Sequence, residues 1–509
     1  MSDLYESSAA RHVAHSSAYM YAQSLIMSFF GFIFWFYATK VASTTFVGEI
    51  SALYLLSSFA TTLLTFSIPS VAQRYIPIYE ARGDKKASIF VARLLVGAGF
   101  IISASVWAFI FFLSAPFSSF FLKNAGLSYL IREFSFAVFF GLLSAFFSGL
   151  LVAHQKFKVY ALINAAYYAG FYFGALIALN RGLGLSGVIE AWTIVNFIFL
   201  VLFAAASSKS LHGKSEKVPI LGMLKYGLPL YASSLVSYGS SLVDRYAVLF
   251  LSTLGVLGVY NIAISSSGVI TAFLGAAMSV TYPFLSGMFG KKGADSLKNV
   301  VRLSVRYLTL AFVPLALGAS AISAPMLSLF GSGQYQTGAL PLSTVLIFSA
   351  LTLSGGIYAN ALLAKGKSHM ILLASLASLA ANVTLSVLLI KPFGMEGAAI
   401  GLSSSSIAYF VALSYYAERE GVFVFDVKAT WKAWLSSAAM SVLVLLAELL
   451  LKGAIYIPVY IIIGAASWIL LMRILKPLNS EDASIIEQII PNRVKNPARI
   501  MLKIIVSAG

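Results

Sequence analysis

The sequence has no cysteine, only five histidines and few charged residues. Without cysteine the chain forms no disulfide, no thiol nucleophile and no Cys-ligated zinc or iron–sulfur cluster. Charged residues make up 10% of the 509 positions, whereas soluble domains carry about 25%. Apolar residues make up 59%, and the mean hydropathy is +0.88. This composition excludes a soluble globular protein.

Acidic residues are scarce as well, because 18 Asp and Glu face 35 Lys and Arg, which gives a net charge of +17. A basic soluble protein would suggest nucleic-acid binding, but here the cations lie in short clusters between apolar runs. Those runs are about 20 residues long, the length of a helix that spans a ~30 Å hydrocarbon layer. The sequence therefore predicts a polytopic membrane protein and excludes nucleic acid as a partner.

The hydropathy pattern predicts an all-α protein with about fourteen transmembrane helices. The first apolar run is too long for a signal peptide, and Asp3 and Glu6 precede it, so we expect an uncleaved first helix. The predicted spans lie near residues 18–39, 49–70, 89–114, 129–152, 159–179, 187–207, 224–250, 257–284, 302–324, 341–363, 370–390, 397–416, 433–451 and 457–475.

The basic residues predict the orientation of these spans. Of the 35 Lys and Arg, 24 lie in one set of alternate segments, five lie in the other set, and six lie within spans or at their ends. Because basic residues in short loops stay on the cytoplasmic side, we expect both termini to be cytoplasmic, in a multi-pass protein of the plasma membrane. The tail after residue 475 is expected to form an amphipathic helix near Arg499 and Lys503 that lies against membrane lipids.

The chain also contains an internal duplication at an offset of about 210 residues. Four landmarks carry it: residues 47–48 with 257–258, 82–86 with 291–295, 151–156 with 362–367, and 184–187 with 394–397. The offset covers six helices, an even number, so both copies enter the membrane in the same sense. They are therefore parallel repeats related by an axis along the membrane normal.

The duplication predicts the organisation of the chain. Two six-helix lobes are expected to enclose a cavity and to rock, so that the cavity opens alternately to each side of the membrane. The expected parts are a cytoplasmic N-terminus (1–17), an N-terminal lobe (18–207), a cytoplasmic linker (208–223), a C-terminal lobe (224–416), two additional transmembrane helices (417–475) and a cytoplasmic amphipathic tail (476–509).

Several short motifs accompany the helix count and the duplication. They are Val47-Gly48, Arg74-Tyr75, Arg82-Gly83-Asp84, Tyr226-Gly227-Leu228-Pro229, Asp244-Arg245-Tyr246, Gly258-Val259-Tyr260, and Phe330-Gly331 with Tyr335. With these motifs the chain resembles the polysaccharide biosynthesis proteins of the lipid-linked oligosaccharide flippase type, in the multidrug/oligosaccharidyl-lipid/polysaccharide exporter superfamily. The resemblance implies that a polyprenyl-diphosphate-linked glycan is moved from the cytoplasmic to the outer leaflet.

Charged residues at membrane depth are candidates for binding that substrate, because they are costly to bury. We expect Arg245 to face the cavity and to bind diphosphate or sugar, while Asp244 orients or neutralises it. Arginine suits this task, since its planar group donates two hydrogen bonds to a phosphate. The alternative is that the adjacent pair only fixes helix packing near the outer interface.

Other candidates lie toward the span ends. Arg74 and Arg93 are expected either to bind diphosphate on the cytoplasmic side or to snorkel to the headgroups. Lys40 and Glu49 flank the outer turn between the first two spans and are expected at the cavity rim, and Tyr238 is a candidate for stacking on sugars.

Two lone carboxylates, Glu190 and Glu448, are candidate sites for a coupling proton or Na⁺. Snorkelling or a local hydrogen bond is the alternative for each. The adjacent residues Arg132 and Glu133 are interpreted as an interfacial pair at the outer start of the fourth span.

No catalytic motif is found: there is no phosphate-binding loop, no H-E-x-x-H and no carboxylate pair for glycoside chemistry. We therefore expect no enzyme activity, no catalytic residue, no cofactor and no metal. The expected partners are the glycolipid, membrane lipids and glycan polymerase or transferase machinery. The alternative functions are a peptidoglycan-precursor flippase and a cation-coupled multidrug exporter of the same superfamily.

Overall fold

A computed structural model describes residues 2–331, 333–424 and 427–475. The predicted amphipathic tail (476–509) lies outside the described residues. Within those residues the chain forms helices and no strand. The α-helices are α1 (Ser2–Val41), α2 (Thr44–Leu63), α3 (Ile68–Ala81), α4 (Lys85–Phe112), α5 (Ser114–Phe121), α6 (Ser128–Ala153), α7 (Phe157–Asn180), α8 (Gly184–Ser207), α9 (Ile220–Leu251), α10 (Leu254–Ala321), α11 (Ser323–Ser328), α12 (Ala339–Leu351), α13 (Leu353–Ala364), α14 (Ser368–Arg419), α15 (Val427–Leu451) and α16 (Ile457–Leu475).

The helix count agrees with the predicted fourteen spans. In the described part of the chain, eleven helices are long and apolar enough to cross a membrane, or twelve when the bent pair α12 and α13 is one span. The 52 residues of α14 contain two spans, because Gly394 is not helical and Gly401 lies directly against Ser386. The remaining span is α9, which carries polar side chains along its 32 residues. The all-α fold class with about fourteen helices is therefore confirmed.

The second span is broken between α2 and α3. Phe66 and Ser67 have positive φ angles of 51° and 54°, a left-handed conformation that non-glycine residues rarely adopt. The Ser67 hydroxyl lies 3.3 Å from that of Ser234. Pro69 follows in the first turn of α3, where its fixed φ and missing N–H suit a helix start. The break therefore separates α2 from α3 within one candidate span.

The backbone repeats the two halves of the duplication. Gln155 and Gly366 occupy equivalent turns, and both have positive φ angles, 56° and 75°. The next residue in each turn, Lys156 or Lys367, donates its N–H to the carbonyl five residues earlier, at 2.8 and 2.9 Å. Local conformation is thus the same in both copies.

A further landmark was missed in the sequence. The short helices α5 and α11 both begin with Ser-Ala-Pro, at Ser114 and at Ser323, and both follow the third span of their repeat. Both serines are buried. The parallel duplication therefore extends to a feature that hydropathy does not reveal.

Two glycines make reciprocal contacts near the start of the second span of each repeat. A Cβ added at Gly48 would overlap the carbonyl of Leu254, and a Cβ added at Gly258 would overlap the carbonyl of Thr44. Both contacts therefore need glycine, since any side chain would collide with backbone. Gly48 and Gly258 are equivalent positions of the two repeats, 210 residues apart, and so are Thr44 and Leu254.

The described residues divide into two compact units. Unit 1 comprises Met1–Gly239 and Thr253–Gly258. Its centre is α6, which packs against α3, α4 and α8. Close packing depends on glycine here, because Gly99 lies against the ring of Phe146 and Gly149 lies against Pro69.

Unit 2 comprises Ser240–Ser252 and the described residues from Val259 onward. Here α12 and α13 pack on α14, and the buried Tyr358 donates to the carbonyl of Val424 at 2.9 Å. The additional helices α15 and α16 pack as a pair. Ser441 of α15 donates to the carbonyl of Leu317 in α10 at 3.1 Å, so the pair is attached to the core of this unit.

Candidate functional site

Asp244 lies on α9 in unit 2 and is fully buried. Its Oδ2 accepts a 2.7 Å hydrogen bond from the hydroxyl of Tyr260, a fully buried residue of α10. Its Oδ1 has no hydrogen-bond partner among the described residues. A buried carboxylate costs free energy unless it is bonded, so this residue needs either a proton or a nearby cation.

Arg245 follows directly on α9 and is half-buried. Its charge interacts electrostatically with Asp244, but its Nε has no hydrogen-bond partner within the described part of the chain. The guanidinium therefore keeps hydrogen-bonding capacity for an anion.

Arg74 lies on α3 in unit 1, at the end of the second span. Its guanidinium carbon is 4.2 Å from the ring centre of Tyr226 on α9 and 6.0 Å from that of Tyr75. The Tyr75 hydroxyl in turn donates to the carbonyl of Gly222 at 3.1 Å. Cation–π contact orients the guanidinium and leaves its N–H edges available. The exposed Arg74 is therefore held in position while its donors remain accessible.

Arg93, at the start of α4, uses its guanidinium differently. Nε donates to the carbonyl of Leu211 at 3.0 Å, Nη2 to that of Gly213 at 2.8 Å, and Nη1 to the hydroxyl of Ser215 at 3.2 Å. All three acceptors lie in the linker between α8 and α9. A diphosphate that bound Arg93 would therefore displace bonds that fix the linker.

The other predicted residues differ in exposure. The Lys40 ammonium is 5.4 Å from the ring centre of Phe36 and is exposed. Glu49 on α2, Tyr238 on α9 and Glu448 on α15 are half-buried. For Glu49 and Glu448 the structure gives no ion pair with a described residue.

Glu190 lines an open cavity of about 420 Å³ in unit 1. The cavity lies between α4, α6 and α8, and its walls are Phe111, Arg132, Glu133, Phe136, Glu190, Thr193 and Ile194. The structure therefore brings Glu190 together with the predicted interfacial pair. Within the described residues, this cavity included, no group of three or more His, Asp or Glu is arranged to hold a metal ion.

Comparison with protein families identifies the chain. The profile described as "Polysaccharide biosynthesis protein" matches residues 84–339, half of the sequence. The chain belongs to this family. No curated protein sequence matches it. The matched region of this polysaccharide biosynthesis protein includes Arg93, Glu190, Asp244 and Arg245.

Solved structures similar to this family member share its fold. A lipid II flippase MurJ in an inward closed conformation is 18% identical, with a TM-score of 0.69, and the match covers 91% of this chain and 98% of that one. The Vibrio cholerae MATE transporter VcmN is 17% identical, with a TM-score of 0.56 over 82% of this chain and 99% of that one. An inward-facing multidrug resistance MATE transporter of the MOP superfamily is 13% identical, with a TM-score of 0.64, covering 78% and 95%.

Sequence reasoning missed two partners in this polysaccharide biosynthesis protein. Tyr260 holds Asp244, although it appeared only as part of a motif, and Tyr226 holds Arg74. A buried tyrosine hydroxyl usually finds a partner, so the signal existed, but the sequence does not say which helices bring the two residues together.

Proposed function

We propose that the protein is a flippase that moves a polyprenyl-diphosphate-linked oligosaccharide from the cytoplasmic to the outer leaflet by alternating access of its two repeats. In this proposal it resides in the plasma membrane with both termini cytoplasmic, as the distribution of basic residues favours. Transport, and not catalysis, is its activity, and glycan polymerase or transferase machinery uses its product.

The observation that carries the proposal is the state of Arg245. Asp244 Oδ2 accepts its hydrogen bond from Tyr260, while Asp244 Oδ1 and Arg245 Nε have no hydrogen-bond partner among the described residues. A cation at membrane depth is expensive unless something anionic neutralises it. A diphosphate headgroup would supply that charge and the bidentate hydrogen bonds that arginine prefers.

Arg74 supports the proposal as a first contact on the cytoplasmic side. Its cation–π contact with Tyr226 fixes the guanidinium without consuming its donors. We propose that Arg74 binds the diphosphate before Arg245 does, with Arg93, Lys40, Glu49 and Tyr238 as further contacts. The coupling ion would bind Glu190 or Glu448.

Reconstitution into proteoliposomes tests this function. The vesicles carry a polyprenyl-diphosphate oligosaccharide, and a membrane-impermeant oxidant, periodate, reports how much of it reaches the outer leaflet. We expect Arg245→Gln to slow translocation about 10- to 100-fold, the cost of losing a charged hydrogen bond, and Arg245→Lys to retain part of the rate. The matched control is Arg419→Gln, because Arg419 stacks on Tyr415 at the end of α14.

Two outcomes would count against the proposal. If the wild-type protein does not move the lipid, the function is wrong. If Arg245→Gln behaves like Arg419→Gln, this arginine does not bind the substrate.

A lipid II flippase is the second candidate function. The observation that favours it is the higher TM-score with the lipid II flippase, 0.69, than with the Vibrio cholerae MATE transporter, 0.56. Running the same assay with lipid II in place of the oligosaccharide lipid distinguishes the two candidates. A multidrug exporter is the weaker alternative. The match covers 99% of the MATE transporter but only 82% of this chain, so part of this chain has no counterpart in that transporter.

A further inference from the structure

One face of α7 carries a stripe of polar and aromatic side chains. The stripe consists of Tyr160, Asn164, Tyr168 and Tyr172, which follow one another at intervals of four residues. Side chains four apart on a helix are neighbours on one face. Twelve residues of helix are about 18 Å long, so the stripe covers more than half of a hydrocarbon layer ~30 Å thick.

The members of this tyrosine stripe contact one another. The rings of Tyr168 and Tyr172 stack with centroids 6.5 Å apart and an interplanar angle of 22°. The Asn164 amide donates to the hydroxyl of Tyr160 at 3.4 Å. Tyr160, Asn164 and Tyr168 are half-buried, whereas Tyr172 is 6% exposed. The stripe is thus ordered, but most of it is not sealed by neighbouring helices.

Neighbouring helices of unit 1 add polar groups to the same face. Tyr54 of α2 is close enough to interact electrostatically with Tyr168 and Tyr172. Gln23 of α1 is close enough to Tyr160 to interact with its hydroxyl. Gln23 is 8% exposed, and its Oε1 has no partner in the described part of the chain. A buried amide oxygen without a partner is costly, so a ligand with hydroxyl donors would satisfy it.

The other faces of α7 have ordinary structural roles. Phe173 is 57% exposed on the outside of the described unit, as expected for a side chain in lipid. Tyr167 faces α8, where its hydroxyl donates to Asn196 at 3.2 Å. Packing and lipid contact therefore account for these residues. Within the stripe, the ring of Tyr160 also packs on Phe203 and that of Tyr172 on Phe34. Packing on other helices does not explain the half-buried Tyr168 or the polar Asn164 between them.

The second repeat serves as an internal control. At the offset of 211 residues given by the turns at Gln155 and Gly366, after which both helices begin, the equivalents of the stripe are Ile371, Ser375, Leu379 and Val383. None of these is aromatic, and none is fully buried. The same helix position thus folds without the stripe. The tyrosines are therefore not required by the repeat architecture, which points to a role in binding.

The stripe contains no charged side chain, so it does not suit a diphosphate or a cationic drug. Phenol rings present flat apolar faces, and their hydroxyls and the nearby amides donate and accept hydrogen bonds. That combination matches a pyranose, which has an apolar C–H face and a polar hydroxyl rim. We propose that the tyrosine stripe, with Tyr54 and Gln23, binds the neutral sugar units of the glycan during translocation. This inference rests on the proposed function. It assigns binding of the sugar units, but not of the diphosphate, to unit 1.

The test compares two lipids in the proteoliposome assay: a polyprenyl diphosphate that bears a neutral tetrasaccharide, and one that bears a single N-acetylglucosamine. We expect the double variant Tyr168→Leu and Tyr54→Leu to slow translocation of the tetrasaccharide lipid about tenfold. Translocation of the monosaccharide lipid should slow less than about twofold. The milder Tyr168→Phe removes only the hydroxyl and should have an intermediate effect. Phe173→Leu, on the lipid face of the same helix, is the matched control.

A second measurement does not depend on transport. Saturation-transfer NMR detects binding of the free tetrasaccharide to the detergent-solubilised full chain, and the double variant should lose that signal while it keeps the thermal stability of Phe173→Leu. Equal slowing of both lipids, or an unchanged NMR signal in the double variant, would overturn the proposal. If the wild-type protein binds the tetrasaccharide but moves neither lipid, the proposed flippase function is wrong, whereas sugar binding by the tyrosine stripe is still supported.

Discussion

The first half of α14 occupies the position in the second repeat that α7 occupies in the first, and the two differ on one face. The turn before each helix has the same backbone, with positive φ at Gln155 and at Gly366. On the helix face that follows, Tyr168 is a half-buried aromatic residue, whereas its equivalent in α14 is the half-buried Leu379. Duplication has therefore preserved the framework, while this face carries tyrosines in one copy and mostly apolar residues in the other.

The shared framework should be the most sensitive part of the molecule. Gly258→Val places a branched side chain against the backbone of Thr44, and no rotamer removes that overlap. We expect a loss of about 3 kcal/mol or more, measured as a lower melting temperature and poor recovery of monodisperse protein. Gly48→Val should be equally severe, because its contact is the reciprocal one. The control is Gly268→Val on the same helix, where the added Cβ meets nothing within 4 Å.

A failure of this prediction would contradict the view that the two repeats share one framework. If Gly258→Val melts like Gly268→Val, the reciprocal contact does not contribute to the stability of the protein. If only one of the two glycines tolerates valine, the repeats have diverged in the framework as well as in the polar face.

An asparagine on each of these two helices should respond to substitution in an opposite way. Asn382 is fully buried, donates to the carbonyl of Ser240 at 3.1 Å and accepts from the hydroxyl of Ser386 at 2.9 Å. Asn382→Leu leaves both groups unpaired, which costs about 1–3 kcal/mol and lowers the melting temperature. Asn164→Leu removes only a 3.4 Å bond from a half-buried face, so it should slow glycolipid translocation with a smaller change in melting.

The melting temperature and the translocation rate are measured for both variants. If the comparison is right, Asn382→Leu mainly lowers the melting temperature and Asn164→Leu mainly slows translocation. Parallel effects of the two substitutions would mean that the two faces do the same job. Phe173→Leu again serves as the control for a lipid-facing change on α7.

Much of the fold followed from the sequence because membrane spans are fixed by hydropathy. Fourteen spans and the duplication are visible in composition and in recurring landmarks, since lipid forces every span into a helix. Pro69 predicts a kink in the second span, but its position at Phe66 and Ser67 was not predictable, because neither residue is a glycine and the conformation depends on neighbours from other helices. The i+4 spacing of the tyrosine stripe is readable, but the side of α7 that faces α1 and α2 is not.

The candidate site was less predictable for a similar reason. Arg93 binds two backbone carbonyls and a serine more than 100 positions away in the sequence, and carbonyl acceptors leave no trace in side-chain patterns. The pairing of Asp244 with Tyr260 joins two helices, so it becomes visible only when the packing is known. Residue type and depth identified the charged candidates, whereas the partners required the structure.

The turns that precede α7 and α14 differ in their ionic contacts, and this is where we expect the smallest effect. In the first repeat His154 Nδ1 lies 2.7 Å from Glu80 Oε1. In the second, Lys365 Nζ lies 2.7 Å from Glu420 Oε2, and Lys367 Nζ lies 2.9 Å from Oε1. The Glu80 side chain is 43% exposed and that of Glu420 is 16% exposed. Glu420 therefore has two cationic partners and less competition from water.

Glu420→Gln should lower the melting temperature by about 2–4 °C, the shift that about 1 kcal/mol gives in a larger domain, and Glu80→Gln should lower it less, since exposed pairs contribute little. Hydrogen bonds from Lys365 and Lys367 lower the pKa of Glu420 from 4.5 to about 2. A carboxylate whose pKa is lower in the folded than in the unfolded state stabilises the folded state at every pH above its unfolded-state pKa. The difference in melting temperature between wild type and Glu420→Gln should therefore be full above pH 4.5 and should shrink as the pH falls toward 2. A difference that stays constant over this interval would show that the carboxylate charge is not what ties the turn to the end of α14.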